Sequence, residues 1–453
     1  LTSCGGGNTS VPAGDSGESG LSGKATNGGK VLNIWSINTE LQTRVRDYYT
    51  LWEKTDSNGD DILRNGVRIK WHIAANEGNA YQIALDAALT QNDNASADDK
   101  IDVFLAEAGY ITKYAQTDYS LDVEKDIGLT DNDLSGMFEY TKTLSKDEDG
   151  NIKGTSWQAT PGVFAYRRDI AQEVWGQSDP DFVQGKMSDW DKFETASADL
   201  KAKNYYTLSS SSDLSLPYAN GRTTPWVTDG VVHVDDVMHA WADTSKEFYA
   251  NQWSHGTSMW SPDWLADASP SGKVFGYFSA PWLINFTLQP QSLADPSAPL
   301  AIGNGTFGKW GAIKGPETFS NGGSWLLAAK GTDNQAEIKR LMEDLTCSRN
   351  IASRITRDTD DFTNNKDAMA ALANDSDYGS AFLGGENVTK LYYENVQKIN
   401  SDDSLMGPYD QGCNEQFPIA MQDYILGDIT YEQGLEAFKT RLSALYPALS
   451  FDF

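Results

Sequence analysis

In the stretch GTSWQATPGVFAYRRDI, residues 154–170, Trp157 and Gln158 place an indole and an amide beside a Pro-Gly turn. An aromatic at a place where the backbone must bend suits a hinge that also floors a cleft. Fourteen tryptophans and twenty tyrosines are the strongest compositional signal of the chain. A flat ring covers the C–H face of a sugar, and amides and carboxylates hydrogen-bond the hydroxyls around its edge. Such rings bring large contact area with few rotors to freeze. Candidates for the polar half follow predicted strands: Asn38 and Glu40 the first, Asn76 and Glu77 the second, Glu107 the third. Open α/β sheets place ligands at the carboxyl ends of their strands, and a charged acceptor binds hydroxyls more strongly than a neutral one. Tyr409, Asp410 and Gln411, in GPYDQGCNEQF, precede a predicted helix. Trp226, in GRTTPWVTDG, and the trio Trp253, Trp260 and Trp264 fall in loop-like sequence, where an exposed aromatic needs a reason. Trp52, Trp71 and Trp241 lie on periodic apolar faces and are expected in the core.

Other chemistries fit poorly. GNGTFGKW, residues 303–310, meets the spacing Gly-x4-Gly-Lys, but Trp310 stands where a Ser or Thr should hold magnesium, so a phosphate loop is excluded. No Gly-x-Ser-x-Gly elbow occurs. His72, His233, His239 and His255 lack ligand spacing. DSNGDD, residues 56–61, begins like a calcium loop, yet Asp61 replaces the turn glycine and Val67 the closing glutamate, which leaves a polar turn. No metal and no cofactor is expected. The formal charge of -28 opposes nucleic acid and anionic membranes as partners. Cys347 and Cys413 allow either a disulfide or two buried thiols.

The elements that must position these groups alternate. KVLNIWSIN predicts a strand, and Leu41, Val45, Tyr48, Tyr49 and Trp52 predict one face of a following helix. GVRIKWHIAA, AYQIALDAALTQ and IDVFLAEAG continue as strand, helix and buried strand. FAYRRDIAQEVWG and GKVFGYFSAPWLINF each run from strand into helix, and GGSWLLAAKGTDNQAEIKRLMEDLTCSRN gives strand, turn and helix. Two helices, with Leu435, Phe438, Leu442 and Leu445 on the face of the second, close the chain. The pattern predicts an α/β fold in two lobes with largely parallel sheets. At 453 residues the chain exceeds one ordinary core.

In this order, IDVFLAEAGYITKYA, GTSWQATPGVFAYRRDI, VFGYFSAPWLINF and GGSWLLAAKGTDNQAEIKRLMEDL resemble segments of the family 1 extracellular solute-binding proteins of bacterial ABC importers, over roughly residues 31–453. Leu1-Thr2-Ser3-Cys4 resembles a bacterial lipobox, and the Gly/Ser-rich residues 5–29 that follow read as a flexible tether of about 25–30 Å. The resemblance implies a two-lobed periplasmic-binding-protein-like fold with a hinged interlobe cleft. Residues 1–30 would hold the lipidated Cys4 and tether, 31–156 plus 324–388 the first lobe, and 157–323 plus 389–453 the second. It adds Trp157, Trp282, Trp325 and Phe417 as cleft aromatics. It implies a monomeric carrier at the outer face of the cell membrane, held there only by lipid, that hands an oligosaccharide to the transmembrane subunits of an ABC permease. The alternatives are a glycoside hydrolase, which aromatics and paired carboxylates also build, and the same fold holding another polar solute.

Overall fold

An apolar strand followed by an amphipathic helix, repeated from Val31 onward, generates the first sheet. The computed structural model of the protein describes residues 30–453; the expected lipidation at Cys4 and its tether lie outside the described residues. β1 (Val31–Ser36) lies between β4 (Arg68–Ile73) and β5 (Ile101–Glu107), parallel to both. β2 (Trp52–Thr55) and β3 (Asp61–Leu63) extend one edge as a hairpin; β12 (Ser324–Ala328) pairs antiparallel with β5 and with β6 (Gly154–Thr155). The order is β2-β3-β4-β1-β5-β12-β6. Because side chains alternate along a strand, Val103 and Leu105 enter one core with Leu41, Val45, Ile338 and Leu341, while Phe104 and Ala106 enter another with Tyr81, Leu85 and Tyr114. A centre covered on both faces explains the unbroken apolar run of β5.

The polar stretch 54–66 is the β2–β3 hairpin, so Trp52 opens a strand instead of extending the helix, which ends at Tyr48 where Tyr49 turns extended. Asp61, fully buried, gathers the hairpin: it accepts from Arg46 Nε (3.0 Å), Trp52 Nε1 (3.0 Å), Trp71 Nε1 (2.8 Å) and Thr55 Oγ1 (2.6 Å). Trp52 and Trp71 are accordingly half-buried clamps of this carboxylate. In the adjoining loop Asp56 accepts from the backbone N–H groups of Asn58 and Asp60, a polar turn.

The second sheet departs from the parallel expectation. β7 (Val163–Arg167) runs antiparallel to both β10 (Gly276–Ser279) and β11 (Trp310–Ile313). Long helical and loop excursions separate these strands in sequence; the first reverses the direction, and the second brings β11 back parallel to β10. Phe164 and Tyr166 pack into a core with Phe193, Trp226, Trp241 and Phe417; Val163 and Ala165 face Tyr277, Trp310 and Phe382. A small sheet of β8 (Val227–Thr228), β9 (Val231–Val232) and β13 (Ser450–Phe451) fastens the last residues to this lobe.

Three extended segments join the lobes side by side. Gln158 bridges Thr363, and Pro161 bridges Ser320. Ala159 N–H donates to Phe362 O (3.0 Å), Asn321 N–H to Thr160 O (3.0 Å), and Ser156 Oγ–H to Ser324 O (2.7 Å). The contact is close enough to require glycine: a Cβ on Gly162 would lie 2.3 Å from the Phe319 ring. Asn364, 1% exposed, accepts from Phe138 N–H and donates to Ser156 O, locking the third segment. That crossing lies at 362–364, ahead of the expected boundary at 388; the helices Lys366–Ala373 and Val388–Val396 pack onto the Val163 and Ala165 face of β7. Cys347 and Cys413 are free thiols, the first beside the first-lobe core and the second inside the second-lobe core. Among the described residues no helix is long and apolar enough to cross a membrane.

Candidate functional site

Two chambers and an outer groove open along the seam between the lobes. The larger chamber, about 580 Å³, takes its polar wall from the first lobe. Asn38 follows β1, and its Oδ1 accepts from Glu40 N–H (2.9 Å), turning the chain into the helix Glu40–Tyr48. That helix presents Glu40, Thr43, Arg44 and Asp47 at spacings of three and four, hence on one face toward the chamber. Glu107, last residue of β5, and Gln158, on the first crossing, complete this wall. The opposite wall is aromatic. β10 runs into Pro281 at a helix start, and Trp282, Asn285 and Phe286 fall on one helical face. A π-helical turn at Ile284–Leu288 follows, a distortion that often marks functional sites. Trp282 is fixed by its Nε1–H bond to Asn321 O (2.7 Å) and backed by Trp260, whose ring lies 5.9 Å away at 20°. Phe286 is 59% exposed.

The electrostatics of this chamber are strained by burial. Desolvation, with repulsion from Asp361, pushes the Glu40 carboxyl up; Arg44 and the Trp157 indole N–H oppose the rise. Arg44 holds both acids, at 3.6 Å from Glu40 and 3.1 Å from Asp361. Burial also raises the Glu107 carboxyl, with the neighbouring Tyr110 hydroxyl opposing. Gln158 Oε1 is buried and finds no partner among the described residues. These groups offer acceptors, with one guanidinium, to a hydroxyl-rich ligand lying on the aromatic wall.

The smaller chamber, about 210 Å³, continues the seam: Ala108 adjoins Glu107, and Ser320 lies two residues from Gly322. Arg222, Asn220, Asp410, Gln411 and Asn414 line it from the second lobe, Tyr110 and Lys113 from the first. Gln411 Nε2–H reaches across to Asn79 Oδ1 (3.3 Å). Burial pushes the Asp410 carboxyl up to about 6, against the pull of Arg222. Tyr409 lines an outer groove with Asp410 and stacks edge-on against Tyr446.

The structure thus brings together Asn38, Glu40, Glu107, Gln158 and Trp282, and sets Asp410 in the adjoining chamber. Four expected cleft aromatics are corrected to core. Trp157, 2% exposed, points into the first lobe, and its Nε1–H reaches Glu40 Oε1 (3.3 Å), so it positions a lining residue from behind. Trp325 alternates inward on β12 and donates to Thr141 O (2.8 Å), leaving Ser324 to face the cleft. Trp226 and Phe417 pack together in the second-lobe core, where burying both rings outweighs any exposed role. Asn76 and Glu77 form a surface turn in which Asn76 Oδ1 accepts from Gln82 N–H; neither lines a chamber. Arg44, Asn285, Phe286 and Arg222 were not anticipated. The first three stand at helical spacing from Glu40 or Trp282, a signal the sequence contained; Arg222 carried none.

The family described as bacterial extracellular solute-binding protein matches residues 64–381, and the chain belongs to it. Among solved structures, an extracellular solute-binding protein family 1 superposes with a TM-score of 0.70 at 18% identity, over 91% of this chain and 99% of the other. An ABC transporter associated binding protein from B. animalis subsp. lactis Bl-04, in complex with β-1,6-galactobiose, gives 0.64 at 17% identity, over 94% and 100%. The sugar-binding protein MalE from Xanthomonas citri gives 0.65 at 14% identity, over 92% and 97%. These likenesses establish the two-lobed binding-protein fold with its interlobe cleft. No curated protein matches the chain.

Proposed function

We propose that the protein captures an oligosaccharide in the interlobe cleft and delivers it to an ABC importer, without altering it chemically. The observation that carries this reading is the aromatic wall of Trp282 and Phe286 facing Asn38, Glu40 and Glu107 across one chamber. A sugar needs both surfaces at once, an apolar platform and a rim of acceptors. The sugar ligands named for proteins of the same fold, β-1,6-galactobiose and lacto-N-biose among them, support the same class. In this reading the lobes meet at the three paired crossings and close over the ligand. A single chain acts as carrier, tethered by lipid at Cys4 on the outer face of the membrane, with the rims of both lobes meeting the permease.

The test is a thermal-shift screen of the purified protein against oligosaccharides of different linkage and length, followed by chromatography of the recovered sugar. A ligand bound only by the folded state adds about 2.7 kcal/mol at one hundred times its Kd. A linkage-specific rise in Tm, with Kd on the order of micromolar and the sugar recovered intact, supports a carrier. Cleaved sugar would make the protein a glycoside hydrolase, and no shift across the panel would move the reading to another polar solute.

A further inference from the structure

Arg222 has two buried nitrogens without partners, where the other lining residues have at most one such atom among the described residues. It is 8% exposed, it lines the smaller chamber, and its Nε and Nη1 are buried with no hydrogen-bond partner among the described residues. The nearby Asp235 is committed elsewhere, accepting the N–H groups of Thr223, Thr224 and Val237. Asp410, the acid that shares the chamber, accepts from Gly407 N–H (3.2 Å); it attracts Arg222 through space, with no hydrogen bond or ion pair between them among the described residues. The guanidinium is nonetheless held in place, 5.1 Å over the Trp226 ring, and that ring is anchored by its Nε1–H bond to Asn414 Oδ1 (2.8 Å). A buried guanidinium whose N–H groups lack acceptors is costly to keep. A guanidinium presents two planar forks, Nε with Nη2 and Nη1 with Nη2, and either matches a carboxylate, which accepts two parallel N–H bonds and offsets the charge. The larger chamber has the opposite bias: Glu40, Asp47 and Glu107 surround the single cation Arg44 and repel an acidic group.

We propose that the Arg222 chamber binds the carboxylate of a uronic acid unit, so that the cargo is an acidic oligosaccharide whose neutral units lie along Trp282. This rests on the oligosaccharide reading and gives it a direction, with the acidic unit at Arg222. In a protein of formal charge -28 the selection is local, since the surface as a whole repels anions.

The experiment is calorimetric titration with matched pairs of xylo-, manno- and galacto-oligosaccharides, each with and without a terminal glucuronate or galacturonate. The wild type, Arg222→Met, Arg222→Lys and Trp282→Ala are compared. For at least one pair the acidic member is expected to bind the wild type tenfold or more tightly than its neutral partner. Arg222→Met abolishes that preference by weakening the acidic member more than the neutral one, Arg222→Lys keeps part of it, and Trp282→Ala weakens both members alike. Equal binding of acidic and neutral members, or a preference that survives Arg222→Met, overturns the proposal and leaves the oligosaccharide reading standing. Failure of every sugar to bind overturns both. A Tm for Arg222→Met equal to or above that of the wild type fits a ligand-directed arginine; a fall of several degrees in both Arg222 variants, with the preference unchanged, assigns Arg222 to the scaffold.

Discussion

The two lobes bring different chemistry to the larger chamber, and each draws it from a different kind of structure. The first lobe supplies Asn38, Glu40 and Glu107 from the carboxyl ends of parallel strands and the helix after them, all braced by a sheet of seven strands. The second supplies Trp282, Asn285 and Phe286 from one helical turn after an antiparallel strand, in a sheet of three. Polar groups need fixed directions, which a broad sheet provides. An aromatic platform needs a fixed plane, and here the Asn321 carbonyl and the ring of Trp260 provide it.

The sharpest test of this division separates the tryptophans that hold the second lobe together from the one that faces the chamber. Trp226→Ala is expected to cost about 3–5 kcal/mol of stability, read by denaturant unfolding. An effect below about 1 kcal/mol would place Trp226 outside the core.

A buried acid marks the same lobe. Asp213 is fully enclosed, its carboxyl pushed from an ordinary 3.8 to about 7 by burial, with the Trp264 indole N–H opposing. The folded form therefore takes up the proton first, so its contribution is most favourable below about pH 4 and is lost as pH rises to about 7. Asp213→Asn should match the wild type near pH 4 and exceed it at pH 8 by about 4 kcal/mol. Parallel stability profiles for the two proteins would contradict the shift.

Within the chamber, Trp282→Ala is expected to weaken oligosaccharide binding by about 2 kcal/mol, roughly thirtyfold, with little change in Tm. Glu107→Gln, which keeps the shape and removes the charge, should cost about 1.4 kcal/mol, roughly tenfold. If the glutamine variant proved the weaker of the two, the polar wall and not the platform would dominate, and the comparison between lobes would reverse.

The sequence showed the first lobe more clearly than the second. β1, β5 and β12 are apolar runs next to amphipathic helices, so type and order could be read directly. The direction of β10 and β11 against β7 could not, because nothing local in a strand records which way its partner runs. The site divided in the same manner. Gln158 and Trp157 are neighbours on one extended segment, so one had to face the cleft and the other the core; residue chemistry named both, and only the pleat decided between them. Ser324 and Trp325 repeat the case, with the small residue outward. Arg222 was missed because its significance lies in the partners it lacks, a property of three-dimensional surroundings alone.

The three crossing segments are bonded to one another as well as to the lobes. Segments paired in this way can serve as a hinge, and we expect the lobes to rotate about it. If the lobes rotate as rigid bodies, a ligand that fills either chamber is expected to draw both shut together. The Trp282 platform and the Arg222 pocket therefore report to a single coordinate, and the distance between two dyes on opposite rims should trace one curve whichever end of the sugar arrives first.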